Sequence, residues 1–246
     1  HRSAFVPAKG NVFIIGDFAG QELGIMAAAA QEDIWLKAMF RREDIHSLTA
    51  SLLYPTEWAK GVEKGCAFPK KCTCSVHAHV RHHAKTLNFA IAYGAGPQKI
   101  ATSLKLSEKE ARQLLSKYKR VVPNLTRWLE KNARESARTR LSFSADPYRR
   151  RRVLRDPEEW QLRNIGKNNP VQSCGANMIK LAMISLSEDL PIVLTLHDEL
   201  VLEVPKAKAK KAVIELKAIM EKAAGYCTGL PGLITVEPRI ATSLQK

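Results

Sequence analysis

The 246-residue chain is long enough for one large domain or for a domain with an inserted lobe, and its 45% hydrophobic content is ordinary for a globular core. Lysine and arginine number 39 against 24 aspartates and glutamates, a net charge of +15 that favours a polyanionic partner, above all nucleic acid. A membrane surface is the lesser alternative, and neither a signal-peptide pattern nor an apolar run of about 18 residues supports it. Five unevenly spaced cysteines do not form a secreted disulfide framework, so a reducing interior is expected.

The first strong pattern is Asn11–Asp17, NVFIIGD, which predicts a buried strand that ends on an aspartate. A helical run, Gln21–Ala30, follows directly. Further helices are predicted over Ser47–Leu53, Ser107–Val122 with a Ser107/Glu110 capping box, Pro123 to about Arg140, Trp160–Leu186 with an interruption near Pro170, and Ala207–Ala224. Residues 55–80 are predicted to be the least regular segment.

That irregular segment holds a group of cysteines and histidines. The spacing C-x5-C-x-C-x2-H would supply four zinc ligands, Cys66, Cys72, Cys74 and His77. It is not a standard zinc-finger spacing, so free thiols in an exposed loop are the alternative.

A basic helix is predicted next. Arg81, Lys85 and Phe89 recur at every fourth position, so a helix would place them along one face, with Tyr93 one turn further on. Such a face suits a triphosphate at one end and a base at the other, because cations meet phosphate oxygens and aromatic rings stack on bases. The alternative is a solvated basic helix whose aromatic residues belong to the core.

Arginines dominate the segment Tyr148–Arg155, which we call the arginine segment. It includes the consecutive residues Arg149, Arg150, Arg151 and Arg152. A strand or loop of this composition is suited to a nucleic-acid backbone, and a solvated loop is the alternative.

The stretch Pro191–Pro205, PIVLTLHDELVLEVP, predicts a β-hairpin with His197, Asp198 and Glu199 at its turn. Adjacent carboxylates between buried strands repel each other, so we expect a cation opposite them, and a divalent metal is the natural candidate. A solvated turn is the alternative. If the strand ending at Asp17 is a neighbour in the same sheet, Asp17 and Asp198 meet at its edge and can bridge two Mg²⁺ ions, which lie about 3.5–4 Å apart in such sites.

Four motifs now stand in order: Asp17-Phe-Ala-Gly-Gln-Glu22-Leu, Arg81-x3-Lys85-x2-Asn88-Phe89-x3-Tyr93-Gly94, Asn169-Pro-Val-Gln172 and His197-Asp198-Glu199. Together they resemble the polymerase half of family A DNA polymerases, of the bacterial polymerase I and phage type. The resemblance implies an α+β fold, with an antiparallel palm sheet and a mostly helical fingers subdomain inserted. The expected domains are palm over 1–47, fingers over 48–190 with a Cys/His-rich insert at about 55–80 and a return to palm near 165–190, and palm over 191–246.

The same resemblance implies roles for individual residues. Asp17 and Asp198 would hold two Mg²⁺ ions, with Glu199 in a supporting role. The incoming deoxynucleotide would be held by His46, Arg81, Lys85, Phe89 and Tyr93, and by Glu22, which would reject a 2′-hydroxyl. Gln172 and His197 match residues on the primer-template DNA.

The function expected is template-directed DNA synthesis by two-metal nucleotidyl transfer, with primer-template DNA and dNTPs as partners. A thumb or exonuclease segment, upstream in the same precursor or on a separate chain, is expected to be needed, and no membrane is involved. The expected location is the cytoplasm of a bacterial or phage-infected cell, at the nucleoid. The rival hypotheses are a catalytically weak or silent palm-fingers DNA-binding subunit and a different nucleotidyl transferase.

Overall fold

The structure is a computed structural model that describes residues 2–63, 74–155 and 157–244. The chain divides into two compact units. Unit 1 comprises His1–Ala28, Ser144–Arg150 and Val171–Lys246, and unit 2 comprises Ala29–Phe143 and Arg151–Pro170. The α+β class is confirmed, and the finer domain boundaries stay predictions.

Helices outnumber strands among the described elements. The helices are α1 (Gln21–Ala30), α2 (Asp33–Phe40), α3 (Ile45–Leu53), α4 (Pro55–Glu63), α5 (Ser75–Ala92), α6 (Pro97–Leu104), α7 (Glu108–Val121), α8 (Pro123–Thr139), α9 (Glu159–Ser185) and α10 (Ala209–Thr228). The strands are β1 (Asn11–Asp17), β2 (Leu141–Phe143), β3 (Arg151–Val153), β4 (Ile192–Leu196), β5 (Glu199–Pro205) and β6 (Arg239–Ala241).

Unit 1 is built on a four-stranded antiparallel sheet in the order β4-β5-β1-β6. β1 pairs along its whole length with β5, from Asn11 opposite Pro205 to Asp17 opposite Glu199. Five consecutive residues of β1 are buried, as expected of a strand that is covered on both faces. On one face, Phe13 and Ile15 form a cluster with Val201 and Leu244.

Helix α10 packs against β1 at Gly16. A Cβ atom on Gly16 would lie 2.7 Å from the sulphur of Met220 and 3.0 Å from a methyl group of Leu216. Both of those side chains are fully buried. The missing side chain therefore lets helix and strand approach closely, immediately before the aspartate that ends β1.

Unit 2 is mostly helical. Trp58 of α4 and Val80 and Ala84 of α5 form a buried cluster with Ala50 of α3. The buried carboxylate of Glu32 caps the start of α8, because it accepts hydrogen bonds from the backbone N–H groups of Asn124 (2.9 Å) and Leu125 (3.0 Å). The two short strands β2 and β3 pair with each other, antiparallel.

Several local predictions are confirmed. β1 and α1 have the predicted bounds, and Pro191–Pro205 forms the predicted hairpin. The capping box is present, with Glu110 N–H donating to Ser107 Oγ and Ser107 N–H donating to Glu110. Helix α9 is confirmed. The predicted interruption near Pro170 is wrong, because the helix continues through Pro170.

The prediction of an irregular segment over residues 55–80 is wrong for the part that the structure describes. Helix α3 ends at Leu53, and Pro55 starts the next helix, since proline fits the first turn, where its missing N–H costs nothing. Gly61 does not break that helix. A Cβ atom on Gly61 would lie 2.3 Å from the ring of His77, so the glycine lets α4 lie against α5.

No helix among the described residues has both the length and the apolar character needed to cross a membrane.

Candidate active site

The carboxylates that the sequence singled out lie together at one end of the sheet of unit 1. Asp17 is the last residue of β1, and its Cα partner across the ladder is Glu199, the first residue of β5. The backbone N–H of Phe18 donates to the carbonyl of Asp198 (3.4 Å). The pairing of two strands thus brings together acidic residues that are far apart in sequence.

The turn that carries Asp198 is tight. His197 and Asp198 are the two residues between β4 and β5. His197 has a φ of 53°, in the left-handed region that two-residue hairpin loops require. The strain of this conformation on a side-chain-bearing residue is offset by seven paired positions between β5 and β1 and four between β4 and β5.

A cation lies beside the buried acid, as expected, but it is an arginine. A guanidinium nitrogen of Arg2 lies 3.5 Å from Glu199 Oε1. The Glu199 side chain is 5% exposed and that of Arg2 43% exposed. This ion pair gives the buried Glu199 carboxylate a cationic partner within the chain.

The donor set fits Mg²⁺. Among residues 2–63, 74–155 and 157–244, no group of three or more His, Cys, Asp or Glu side chains is placed to hold a metal ion. Mg²⁺ does not need such a cage, because it keeps several waters and commonly binds one or two carboxylates together with substrate phosphates. Two half-exposed aspartates at adjoining strand ends match that mode of binding.

Glu22 and Gln172 meet in unit 1. Glu22 lies in the first turn of α1, five residues after the end of β1, and the side-chain amide of Gln172 on α9 donates a hydrogen bond to its carboxylate. Their neighbours Gln21 and Gly175 are also in contact, through a 3.5 Å hydrogen bond from Gln21 Nε2 to the Gly175 carbonyl. These contacts hold the start of α1 against α9.

In unit 2, Arg81 is held by an acid that the sequence analysis did not select. Arg81 donates from Nε and Nη2 to the two carboxylate oxygens of Asp44, at 2.7 and 3.0 Å. Asp44 also caps α3 by accepting from Ser47 N–H (2.8 Å). Burial raises the pKa of Asp44, but the hydrogen bonds from Arg81 and Ser47 outweigh it and lower that pKa to about 2. These bonds fix the orientation of the Arg81 guanidinium, whose other N–H groups can bind a second anion.

His46 lies on α3 beside that pair. The side-chain amide of Asn88 on α5 donates to His46 Nδ1 (3.0 Å), which places the proton of the neutral ring on Nε2. The pKa of His46 is lowered to about 4, chiefly by burial; the charges of Arg81 and Lys85 also lower it, while Asp44 opposes them. His46 is therefore a neutral hydrogen-bond donor at physiological pH.

The remaining predicted nucleotide-binding residues lie on α5 as the spacing predicted. Lys85 is exposed, Phe89 is half-buried with its ring centroid 5.7 Å from that of His46, and Tyr93 is the exposed residue that ends the helix. One helix face thus presents Arg81, Lys85 and Phe89 in succession.

The arginine segment is part turn and part strand. Arg149 and Arg150 belong to unit 1, where the N–H of Arg150 donates to Ser144 Oγ (2.8 Å), and Arg151 and Arg152 belong to β3 in unit 2. All four are exposed. Arg152 also donates to Asn169 Oδ1 (3.3 Å), which anchors one end of the segment.

Nothing in the described residues favours the zinc site. Cys66 and Cys72 lie outside the described residues. His77 is 1% exposed, stacks on Trp58, and lies with Nε2 2.8 Å from the Trp58 carbonyl. That contact accounts for the histidine as a packing residue between α4 and α5. Cys74 is the residue before α5.

Sequence reasoning missed Arg2, Asp44 and Asn88 as members of these clusters. Arg2 gave no signal, because its partner is at the other end of the chain. Asp44 did give a signal in the sequence, because an Asp three residues before Ser47 is a helix-capping pattern. Asn88 stood within a quoted motif, but without a partner its role was not visible.

Comparison with known proteins identifies the family of this chain. It matches the model of "DNA polymerase family A" over residues 1–244. It is 31% identical to the thermostable DNA polymerase I of Thermus filiformis over 90% of this chain and 26% of that protein. It is 30% identical to DNA polymerase I of Caldicellulosiruptor bescii over 83% of this chain and 24% of that protein.

The fold has a solved counterpart. The POL domain of Pol1 from M. smegmatis, in complex with DNA primer-template and dNTP, covers 99% of this chain with a TM-score of 0.82 and 22% identity, over 42% of its own length. The chain spans about a quarter of the length of the curated relatives that it matches. The family model nevertheless accounts for nearly every residue, and the chain belongs to DNA polymerase family A.

Proposed function

We propose that this chain is the palm and fingers part of a DNA-directed DNA polymerase that adds deoxynucleotides to a primer 3′-hydroxyl by two-metal nucleotidyl transfer. The observation that carries the proposal is the placement of Asp17 opposite Glu199 and next to Asp198, at the ends of paired strands, in a chain of this family. The substrates follow from the family and from the M. smegmatis neighbour, which holds primer-template and dNTP.

Asp17 and Asp198 are the residues that would hold Mg²⁺. When bound, the two ions would lower the pKa of the attacking hydroxyl and neutralise charge on the phosphates. Glu199 keeps its place beside Asp17 through strand pairing and its ion pair with Arg2. Its role is to support the strand ends rather than to add a third ligand.

Unit 2 supplies the groups that bind the incoming triphosphate. Arg81, aimed by Asp44, and exposed Lys85 meet phosphate oxygens, and neutral His46 donates from Nε2. Phe89 lies beside the sugar and Tyr93 beside the templating base. Glu22 of unit 1 rejects the 2′-hydroxyl of a ribonucleotide.

DNA is held by Gln172 and His197 and by the exposed arginines 149–152, which contact the phosphate backbone without reading sequence. Because the relatives are about four times as long, we propose that processive synthesis also uses contacts from a thumb or exonuclease segment outside these residues. Location at the bacterial nucleoid is part of the same proposal.

Primer extension with Mg²⁺ and dNTPs tests the function. It is run on this chain and on the longest natural form of the protein, each beside Asp17→Ala and the matched control Asp189→Ala, an exposed aspartate of the same unit. We expect Asp17→Ala to lower the rate by about 1,000-fold or more and to leave DNA binding intact, while the control behaves as the unaltered protein. DNA binding without extension in every form would instead assign the chain as a silent DNA-binding subunit.

A further inference from the structure

A second group of arginines lies in unit 2, apart from every motif used above. It lines an open cavity of about 500 Å³ between the C-terminal end of α8 and the start of α9. Arg134, Arg138 and Arg140 come from the α8 side and Arg163 from α9. We call this space the α8–α9 cavity. Among the described residues that line it, Glu159 alone is acidic.

The charges of the α8–α9 cavity are only partly balanced. Arg138 pairs with Glu135 at 2.7 Å and Arg163 with Glu130 at 3.2 Å. No described acidic side chain lies within 4.0 Å of a guanidinium nitrogen of Arg134 or Arg140. Within the part of the chain that the structure describes, Arg134 and Arg140 therefore have no acidic partner.

Helix electrostatics explain only part of the cluster. Cations near the C-terminus of a helix are stabilised by its dipole, which suits Arg138 and Arg140 but not Arg134, a full turn earlier, or Arg163 on another helix. Arg134 and Arg138 are moreover four residues apart on one face, where like charges repel each other by about 0.2–0.5 kcal/mol. An anion placed between them would remove that cost.

The backbone of the α8–α9 cavity is well held. Arg140 adopts a φ of 57° as the C-terminal cap of α8, and its carbonyl accepts a 2.9 Å hydrogen bond from Leu154 N–H. Leu162, 3% exposed, forms an apolar part of the wall. The arginine side chains thus start from fixed points, which lowers the entropy that a bound ligand must overcome.

An exposed aromatic residue lies one helical turn before Arg163 on α9. Trp160 is 62% exposed and lies three residues before Arg163 on α9, so the two side chains are neighbours on the same helix face. Arginines that follow a backbone next to an exposed aromatic ring are the combination used for single-stranded nucleic acid, because any base can stack on the ring.

We propose that the α8–α9 cavity binds the phosphate groups of single-stranded DNA, with Trp160 stacking on a base. The ligand class is the phosphodiester backbone, recognised without regard to sequence. This site is separate from the residues assigned to metal, nucleotide and duplex binding, and it does not depend on the chain being an active polymerase.

The first test measures binding of a fluorescent oligothymidylate by anisotropy at several salt concentrations. The variant Arg134→Gln/Arg140→Gln is compared with Lys99→Gln/Lys109→Gln, which removes the same charge from exposed positions of the same unit. We expect the arginine variant to lose about 10-fold in affinity near 0.15 M salt and to flatten the salt slope by about 1.4, for two phosphate contacts. Equal losses in both variants would overturn the proposal.

The second test locates the base. Tryptophan emission is followed while unlabelled oligothymidylate is added to the unaltered chain and to Trp160→Phe. We expect quenching that is largely absent in the variant, since stacking acts on that ring. Quenching that survives Trp160→Phe unchanged would contradict the stacking.

A third test distinguishes single-stranded DNA from a free phosphate compound as the ligand of the α8–α9 cavity. Inorganic pyrophosphate is titrated against the same variants by calorimetry. Loss of pyrophosphate binding in Arg134→Gln/Arg140→Gln with unchanged oligothymidylate binding would overturn the assignment to DNA and give the cavity to a free phosphate compound.

Discussion

The two units place their predicted functional groups in different ways. In unit 1, backbone pairing places them: Asp17 faces Glu199 because β1 and β5 pair along seven positions. In unit 2, side-chain hydrogen bonds do so: Asp44 aims Arg81, and Asn88 orients His46. The groups proposed to hold a metal therefore depend on the sheet, whereas the groups proposed to bind a triphosphate depend on single polar contacts.

Substitutions in the two units should therefore have different effects. A change at one polar partner in unit 2 should alter pH dependence and nucleotide affinity while the fold persists. In unit 1, the same carboxylates should tolerate loss of a side-chain partner but not loss of the sheet's packing against α10.

Apart from Asp17→Ala, the largest effect is expected at Glu22. Its replacement by alanine removes the carboxylate proposed to reject a 2′-hydroxyl, so ribonucleotide incorporation relative to deoxyribonucleotide should rise about 100-fold. Gln172→Ala, which removes a hydrogen bond to Glu22 but keeps its carboxylate, should give a smaller rise. Competitive incorporation assays measure both, with exposed Glu188→Ala as control. An unchanged ratio in Glu22→Ala would argue against a sugar-selective role.

The next effect concerns His46, whose pKa burial lowers to about 4 against about 6.5 in an unfolded chain. The unfolded chain binds the proton more readily, so the free energy of unfolding should fall as pH drops from about 6.5 to about 4, by about 2 kcal/mol. His46→Gln should lack that part of the pH dependence.

Urea unfolding between those pH values measures it. His82→Gln, at an exposed position of the same helix α5, is the control and should keep the full dependence. A His46→Gln profile parallel to that of the unaltered chain would show that His46 titrates normally.

In unit 1, Gly16→Ala tests the packing that carries Asp17. The added methyl would lie 2.7 Å from the sulphur of Met220, and we expect a loss of about 1–2 kcal/mol in the free energy of unfolding. Met220→Ala removes the clashing atom, so the two changes should cost less together than their sum. Strict additivity in urea unfolding would mean that Gly16 and Met220 do not constrain each other.

The smallest effect is expected at Asp44. Asp44→Asn keeps a good helix cap but removes the charge that binds Arg81, and should cost about 1 kcal/mol at pH 7, after allowance for solvent screening. Because the pKa of Asp44 is lowered to about 2, its stabilisation is present above about pH 4 and lost as pH falls toward 2.

The stability difference between the unaltered chain and Asp44→Asn should therefore vanish near pH 2. Thermal unfolding across that range measures it, with exposed Asp33→Asn as the matched control. A difference that persists at pH 2 would assign the effect to packing rather than to the ion pair.

Local patterns predicted much of this molecule. The bounds of β1 and α1, the hairpin and the basic face of α5 follow from hydrophobic periodicity, which acts over a few residues. Long-range partners did not follow, because nothing local links Arg2 to Glu199. The helix over residues 55–63 was not predicted, because the packing of Gly61 against His77 appears only in three dimensions.

The proposed metal site at Asp17 and Asp198 is tested most directly by Mn²⁺ binding. Binding is measured by electron paramagnetic resonance, since Mn²⁺ takes the same oxygen ligands as Mg²⁺. The unaltered chain is compared with Asp17→Asn/Asp198→Asn and with the control Asp33→Asn/Asp189→Asn. We expect the first variant to lose the bound Mn²⁺ that the unaltered chain and the control retain, and Mg²⁺ to displace it from both. Equal Mn²⁺ binding by all three proteins would contradict a metal site at the paired strand ends.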